Sequence, residues 1–310
     1  MNFFQAIFLG IVQALTEYLP VSSSAHIRII GDLMIGSDPG AAFTAIIQIG
    51  TELAVLLYFR HDIIRILGAW FGSLFGKEGK DWKSRLGAHN RDTQMGWYII
   101  IGTLPIVIAG VLFKSAIETT LRNLWITVTV LAVFGVLLWV FDARAKQVKT
   151  MDRMTVKDAI VFGIGQMLAL IPGVSRSGGT ITFGRAMGYT REAAVRVAFL
   201  MAIPAVFGAG ILETVSSIKD LNACAAAGND PTAEACISAG TMFPGWGPTI
   251  AATIVSFLLG YIVIIGFLKF VSTFSYKAFA IYRIVLAVIV AILLLTGVLS
   301  PVEATAAAGA

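Results

Sequence analysis

Apolar residues run almost unbroken through six stretches of the chain, roughly 41–59, 95–113, 124–141, 193–214, 248–268 and 279–299. A helix needs about 20 predominantly apolar residues to cross a bilayer core, and each stretch is close to that length. Two further apolar stretches are interrupted. Residues 3–35 are broken by Pro20 and three serines, and residues 158–188 by Pro172-Gly173 and Ser175-Arg176-Ser177-Gly178-Gly179. Each reads as helix, turn, helix, with arms too short to cross comfortably alone. Irregular backbone at membrane depth is tolerated only inside protein or beside a wet cavity. Both stretches are therefore expected to be re-entrant hairpins. The pattern predicts an all-α, polytopic membrane bundle of six transmembrane spans and two hairpins, forming one domain over residues 1–310.

Composition agrees with that pattern. Of the 310 residues, 57% are hydrophobic and only 13% charged, against about a quarter charged in ordinary soluble domains. The net charge of +5 matters less than its placement. Lys and Arg crowd the connections 60–92, 142–157 and 269–277, whereas 114–123 and 215–247 carry few. The positive-inside rule puts the first three in the cytoplasm and the other two outside. Six spans alternate consistently with this, and both termini then lie outside. The start, Met1-Asn2-Phe3-Phe4, has no basic region and reads as no cleavable signal peptide. Cys224 and Cys236 fall in an outer loop, where a disulfide can form, free thiols being the alternative.

Laying Gln13 on Gln166 places Gly10 on Gly163 and Val21-Ser22-Ser23-Ser24 on Val174-Ser175-Arg176-Ser177 without a gap. Three spans follow each hairpin. The reading is an internal repeat, approximately 1–150 and 154–301, with inverted topology. Hairpin one would open from outside and hairpin two from the cytoplasm. Inverted repeats with broken helices place a site near the midplane.

The two turns carry the candidate chemistry. Gln13 and Glu17 lie one helical turn apart on a shared face. A carboxylate within an apolar run is costly and usually faces a cavity or a partner. Pro20 ends the helix, and Ser22, Ser23 and Ser24 begin the next. One serine would serve as a helix cap, but three exceed that need. His26 follows as a proton carrier. Glu17, a serine and His26 are the parts of a nucleophile, a base and an orienting group. In the second turn, Arg176 offers a planar fork matched to phosphate, or a structural partner for Glu17. Helix amides and the hydroxyls of Ser175, Ser177 and Thr180 supply further donors. One turn would bring the reactive groups and the other an anion clamp, a division suited to phosphoryl transfer.

At these residues the chain resembles a known family. Glu17-Tyr-Leu-Pro-Val-Ser-Ser-Ser-Ala-His26 and Pro172-Gly-Val-Ser-Arg-Ser-Gly-Gly-Thr180 look like the two signatures of the bacterial undecaprenyl-diphosphate phosphatases, also called bacitracin-resistance proteins. Gln48-Ile-Gly-Thr and Phe279-Ala-Ile-Tyr-Arg283 resemble further family segments. The resemblance implies hydrolysis of undecaprenyl diphosphate to the monophosphate, which recycles the carrier for cell-wall glycans. It implies a divalent cation, Mg2+ or Ca2+, with Glu17 as a ligand. Carried over by position, Glu17, Ser23, His26 and Arg176 match catalytic residues. Ser22, Ser24, Ser175, Ser177 and Thr180 match phosphate-contacting or supporting positions. Gln13 stands where the family accepts Glu or Gln, so a second carboxylate is missing there. Ser24-Ala25 departs from the common Thr-Gly.

Gln48 and Glu52, one turn apart in the first span, are supporting candidates, Glu52 either for metal or proton work or as an arginine's partner. His61 and His89 are expected to be solvated, Arg283 to snorkel or pair structurally, and Trp97, Trp246 and Tyr282 to anchor at the interface. The implied partners are a polyprenyl diphosphate lipid and the bilayer, with no nucleic acid. A homodimer is left open. The expected location is the bacterial plasma membrane, with the site opening to the periplasmic side. The rival function is a transporter or flippase of a phosphate-bearing lipid, since inverted repeats are common there.

Overall fold

The structure, a computed structural model, describes residues 1–36, 39–118, 120–226, 228 and 244–301. Among these the chain is helical, with one isolated bridge between Lys149 and Tyr189 and no named strand. The first hairpin is α1 (Phe3–Glu17) and α2 (Ser23–Ile35). Next comes α3 (Ala41–Tyr58), which bends by 71° into α4 (Arg60–Leu74). The short α5 (Trp82–Arg85) precedes α6 (Arg91–Leu112), and the short α7 (Lys114–Glu118) precedes α8 (Leu124–Arg144). The second hairpin is α9 (Val156–Met167) and α10 (Arg176–Ala186). The chain continues through α11 (Arg191–Ala226), α12 (Trp246–Thr273) and α13 (Lys277–Leu295).

Five helices, α6, α8, α11, α12 and α13, are long and apolar enough to span a membrane, and the bent pair α3–α4 makes a sixth if counted as one span. The chain is a multi-pass membrane protein. Two stretches expected as loops are helical: residues 215–226 continue α11, and the other lies after Tyr58. The stretch from Arg60, expected as a basic loop, opens with the 15-residue helix α4. Its apolar residues alternate with Arg60, Asp62 and Arg65, so it reads as a loop when only long apolar runs are sought. The disulfide expected between Cys224 and Cys236 cannot be followed here, because Cys236 lies outside the described residues.

Both hairpins start the same way. Asn2 and Gln5 close a capping box on α1, and Thr155 and Asp158 close one on α9. Such boxes satisfy backbone donors that a helix start leaves free. The shift that lays Gln13 on Gln166 also lays these two boxes on each other. The hairpins then pack across the chain. α1 lies against α12 and α9 against α6. A Cβ on Gly10 would stand 2.6 Å from the Ala252 carbonyl oxygen, and one on Gly163 would stand 2.3 Å from that of Gly102. Only glycine allows helix backbones this close, a common device in membrane bundles.

The main core surrounds α11. Phe199 meets Tyr18, Phe59 and Phe267 at ring distances of 5.5, 6.1 and 6.3 Å. At the basic end, Asp142 accepts from Arg185 Nε at 2.8 Å, from Arg191 Nε at 2.9 Å and from the Tyr276 backbone N–H at 3.0 Å. This buried carboxylate ties the ends of α8 and α10 to the starts of α11 and α13, and so fixes the foot of the second hairpin. A buried charge is tolerated when it is paired and fully hydrogen-bonded, as here.

Candidate active site

Pro20 has no backbone N–H to continue α1, and the chain turns through Tyr18–Val21. Ser22 then takes φ 74° before α2, and Ser175 takes φ 69° before α10. Left-handed backbone at a non-glycine residue costs about 1–3 kcal/mol and gathers at functional sites. The two turns differ in how the next helix begins. Ser175 Oγ accepts from the Gly178 N–H at 3.1 Å and caps α10. No side chain caps α2.

A buried arginine binds the turns together. Arg283 is fully buried, and its guanidinium donates to the carbonyls of Pro20 (3.1 Å), Val174 (2.9 Å) and Gly173 (2.7 Å). Of the two expectations for Arg283, structural pairing holds and snorkelling does not. This side chain points inward and satisfies turn carbonyls that have lost their helical partners. Ser177 adds a second tie, donating to the Leu19 carbonyl at 3.1 Å.

Glu17 is the junction of the site. Its Oε2 accepts from Ser23 Oγ at 2.6 Å and from Gln13 Nε2 at 3.0 Å. Its Oε1 pairs with Arg176 Nη2, which also reaches Glu52 Oε1 at 3.1 Å. Gln48 stands beside Glu52. Four elements thus meet, with Gln13 and Glu17 from α1, Ser23 from α2, Gln48 and Glu52 from α3, and Arg176 from α10. Both ion pairs of Arg176 run through one nitrogen. A small pocket opens here, lined by Glu17, Glu52, Arg176 and Ser177 with apolar residues of α3 and α11. Two carboxylates thus face one guanidinium.

Other expected contacts fall elsewhere. His26 is buried and meets neither Ser23 nor Glu17. Its Nδ1 lies 2.7 Å from the Ser22 carbonyl and its Nε2 2.6 Å from Tyr282 Oη. In this geometry the Ser23 hydroxyl gives its hydrogen bond to Glu17. Helical spacing puts His26 one turn from Ser23, but its bond to the carbonyl four residues back points the ring toward α13. Tyr282, expected as an interfacial anchor, is its partner there. Ser175 and Thr180, expected to face phosphate, are committed to α10, Ser175 as the cap and Thr180 through a 2.8 Å bond to the Arg176 carbonyl. Ser22 and Ser24 have their hydroxyls 3.2 Å apart, and Ser24 is exposed. His61 and His89 are exposed, as expected. Sequence patterns named Tyr282 and Arg283 but not their partners, because both sit in an apolar span. A polar pair in such a span is the signal that marks them.

Among the described residues no three His, Cys, Asp or Glu side chains gather as a metal cluster. Glu17 and Glu52 converge on one point, however. A hard divalent cation is often held by one or two carboxylates together with substrate phosphates and water. The donor set fits that mode and not an all-protein cage.

The model of the bacitracin resistance protein BacA family matches residues 6–289. This chain belongs to the BacA family. The match spans both hairpins and every span, so the Glu17–Arg176 junction lies inside it. Similar chains carry the name undecaprenyl-diphosphatase. One from Bifidobacterium adolescentis is 83% identical over 308 residues, covering 99% of this chain and all of the relative. One from Bifidobacterium animalis subsp. lactis is 75% identical, covering 100% of this chain and 99% of its own. One from Paenarthrobacter aurescens is 48% identical, covering 97% of this chain and all of its own.

Proposed function

We propose that this chain is an undecaprenyl-diphosphatase, hydrolysing undecaprenyl diphosphate to undecaprenyl phosphate and inorganic phosphate and returning the carrier to peptidoglycan synthesis. The observation that carries the reading is the junction of Ser23, Glu17 and Arg176 across the two turns. A hydroxyl on a carboxylate beside an arginine fork is equipment for phosphoryl transfer. The names of the relatives support the same substrate.

In this reading Ser23 Oγ attacks the terminal phosphorus. The bond to the bridging oxygen breaks, undecaprenyl phosphate leaves, and Glu17 takes the serine proton. Water then attacks the phosphoserine. His26 accepts a proton from that water, inorganic phosphate departs, and Glu17 returns its proton to Ser23. Arg176 uses the nitrogens outside its ion pairs to hold the transferring group. Amides of the uncapped α2 start add donors, because helix N-termini favour anions. Gln13 holds Glu17 in place. Glu17 and Glu52, with diphosphate oxygens, would hold a Mg2+ or Ca2+ ion, whose charge would offset that of the substrate.

The two halves are proposed to be inverted repeats. The matched capping boxes, the paired left-handed serines and the crosswise hairpin packing support that relation. The site would lie near mid-membrane and open to the periplasmic side, with both termini on that side. Ala198 lines the pocket about 10 Å along α11 from Arg191, at 1.5 Å per residue.

The test is phosphate release from undecaprenyl diphosphate by purified protein in detergent, where no gradient exists. Wild type should turn over, and Ser23→Ala and Arg176→Ala should not. Trapping radiolabelled phosphate on Ser23 would establish the covalent step. Near-normal turnover by Ser23→Ala would eliminate that step and leave direct attack by water. Lipid translocation in vesicles without phosphate release would replace the enzyme with a flippase.

A further inference from the structure

Tyr282 lies on α13, far along the chain from either turn, in a helix otherwise built for lipid. Its hydroxyl stands 2.6 Å from His26 Nε2. The two rings lie nearly parallel, 5.6 Å apart with 8° between planes. The other ring nitrogen, Nδ1, lies 2.7 Å from the Ser22 carbonyl oxygen. A carbonyl oxygen only accepts, so Nδ1 carries a proton. In the neutral ring Nε2 is then the lone pair, and Tyr282 must be its donor. The bonds at both nitrogens fix the tautomer and the ring plane together. The nitrogen that has to collect a proton faces Tyr282, away from Glu17.

The placement of Tyr282 is itself fixed. The next residue, Arg283, is buried on the carbonyls of both turns. That anchor sets the height and rotation of α13 against the site. Tyr282 keeps an exposed side, with 45% of its surface open, so its hydroxyl borders the surroundings as well as the histidine.

We propose that Tyr282 is a positioning residue for His26, holding the ring plane and keeping the Nε2 lone pair hydrogen-bonded until the attacking water takes the place of the hydroxyl. The inference rests on the phosphatase reading for its kinetic consequence, but the contact is testable without it. Partners that orient a working histidine are worth about 10- to 100-fold when removed.

Tyr282→Phe keeps the ring that stacks on His26 and deletes only the donor, so the variant is expected to fold. In detergent with undecaprenyl diphosphate, its kcat should fall about tenfold with KM within about twofold. In a His26→Gln background the same change should alter kcat by less than about twofold, because the two residues act as a unit. Nitrogen NMR of labelled histidine, with His26 assigned by the His26→Gln spectrum, should show the Nδ1–H tautomer in wild type and an Nε2 resonance moved downfield in Tyr282→Phe, where its hydrogen bond is lost. An equal loss of kcat in both backgrounds would overturn the proposal. So would an unchanged His26 spectrum in Tyr282→Phe. If wild type releases no phosphate, the phosphatase reading fails, and the Nε2 resonance alone then decides the role of Tyr282.

Discussion

Ser22 and Ser175 hold the same left-handed backbone, one just before α2 and the other just before α10. Ser175 then caps its helix, whereas α2 has no side-chain cap. The residues that follow also part company. The first turn places Ser23 on Glu17, and the second places Arg176 there. One backbone design thus serves two tasks. The capped turn is a finished structure whose hydroxyls are committed, and it offers one long cation to the site. The uncapped turn leaves the first amides of its helix without a side-chain partner, so it is the one suited to receive an anion. Arg283 serves both, because a turn of either kind exposes carbonyls that must be bonded when buried.

Substitutions that break this division should rank by how directly they touch it. The largest loss is expected at the junction. Ser23→Ala should lower kcat by on the order of a thousandfold or more, as for other enzymes stripped of a nucleophile. Arg176→Lys should fall nearly as far, since an ammonium cannot keep two carboxylates and a phosphate on one planar fork. Phosphate release under saturating lipid measures both. Retention of most activity by Arg176→Lys would mean that the second turn supplies charge alone.

Glu52→Gln should cost about 10- to 100-fold in divalent-cation affinity. Phosphate release titrated with Mg2+ would show a curve displaced to higher concentration with a similar plateau. An undisplaced curve would make Glu52 only a partner of Arg176.

Arg283→Leu should act on stability first. Each buried carbonyl left without a donor costs about 1–3 kcal/mol, and three turn carbonyls depend on Arg283. Thermal unfolding in detergent should drop by several degrees, and both turns should become more accessible to cysteine labelling. Labelling of only one turn would show that the staple serves that turn alone.

The smallest effect sharpens the comparison most. Ser175→Ala removes a helix cap and should cost about 1 kcal/mol, read as a few degrees in Tm. Ser22→Ala removes no cap and should leave Tm nearly unchanged. Equal Tm changes in the pair would erase the proposed difference between the turns.

Much of this layout was legible along the chain. The hairpin breaks follow from Pro20 and Pro172-Gly173, because the missing N–H and the glycine freedom are local properties. Gln13 and Glu17 share a face by helical period alone. The Ser22–Ser24 and Ser175–Ser177 match made the two turns comparable before any contact was known. The helix α4 was missed because its charged face hides an apolar one from a search for long hydrophobic runs. His26 was given the wrong neighbour because spacing along a helix says which residues are near and not which way a ring turns.

The sequence by itself determined that the chain crosses the membrane repeatedly, where the helices break and which residue types gather at the breaks. Those features depend on local hydropathy, backbone freedom and periodicity. Only the tertiary structure decided the pairing. It set Arg176 between Glu17 and Glu52, turned His26 to Tyr282, and drew Arg283 inward. Buried polar groups in an apolar bundle must find partners wherever the packing brings one, and which partner that is depends on contacts between segments more than a hundred residues apart in the chain.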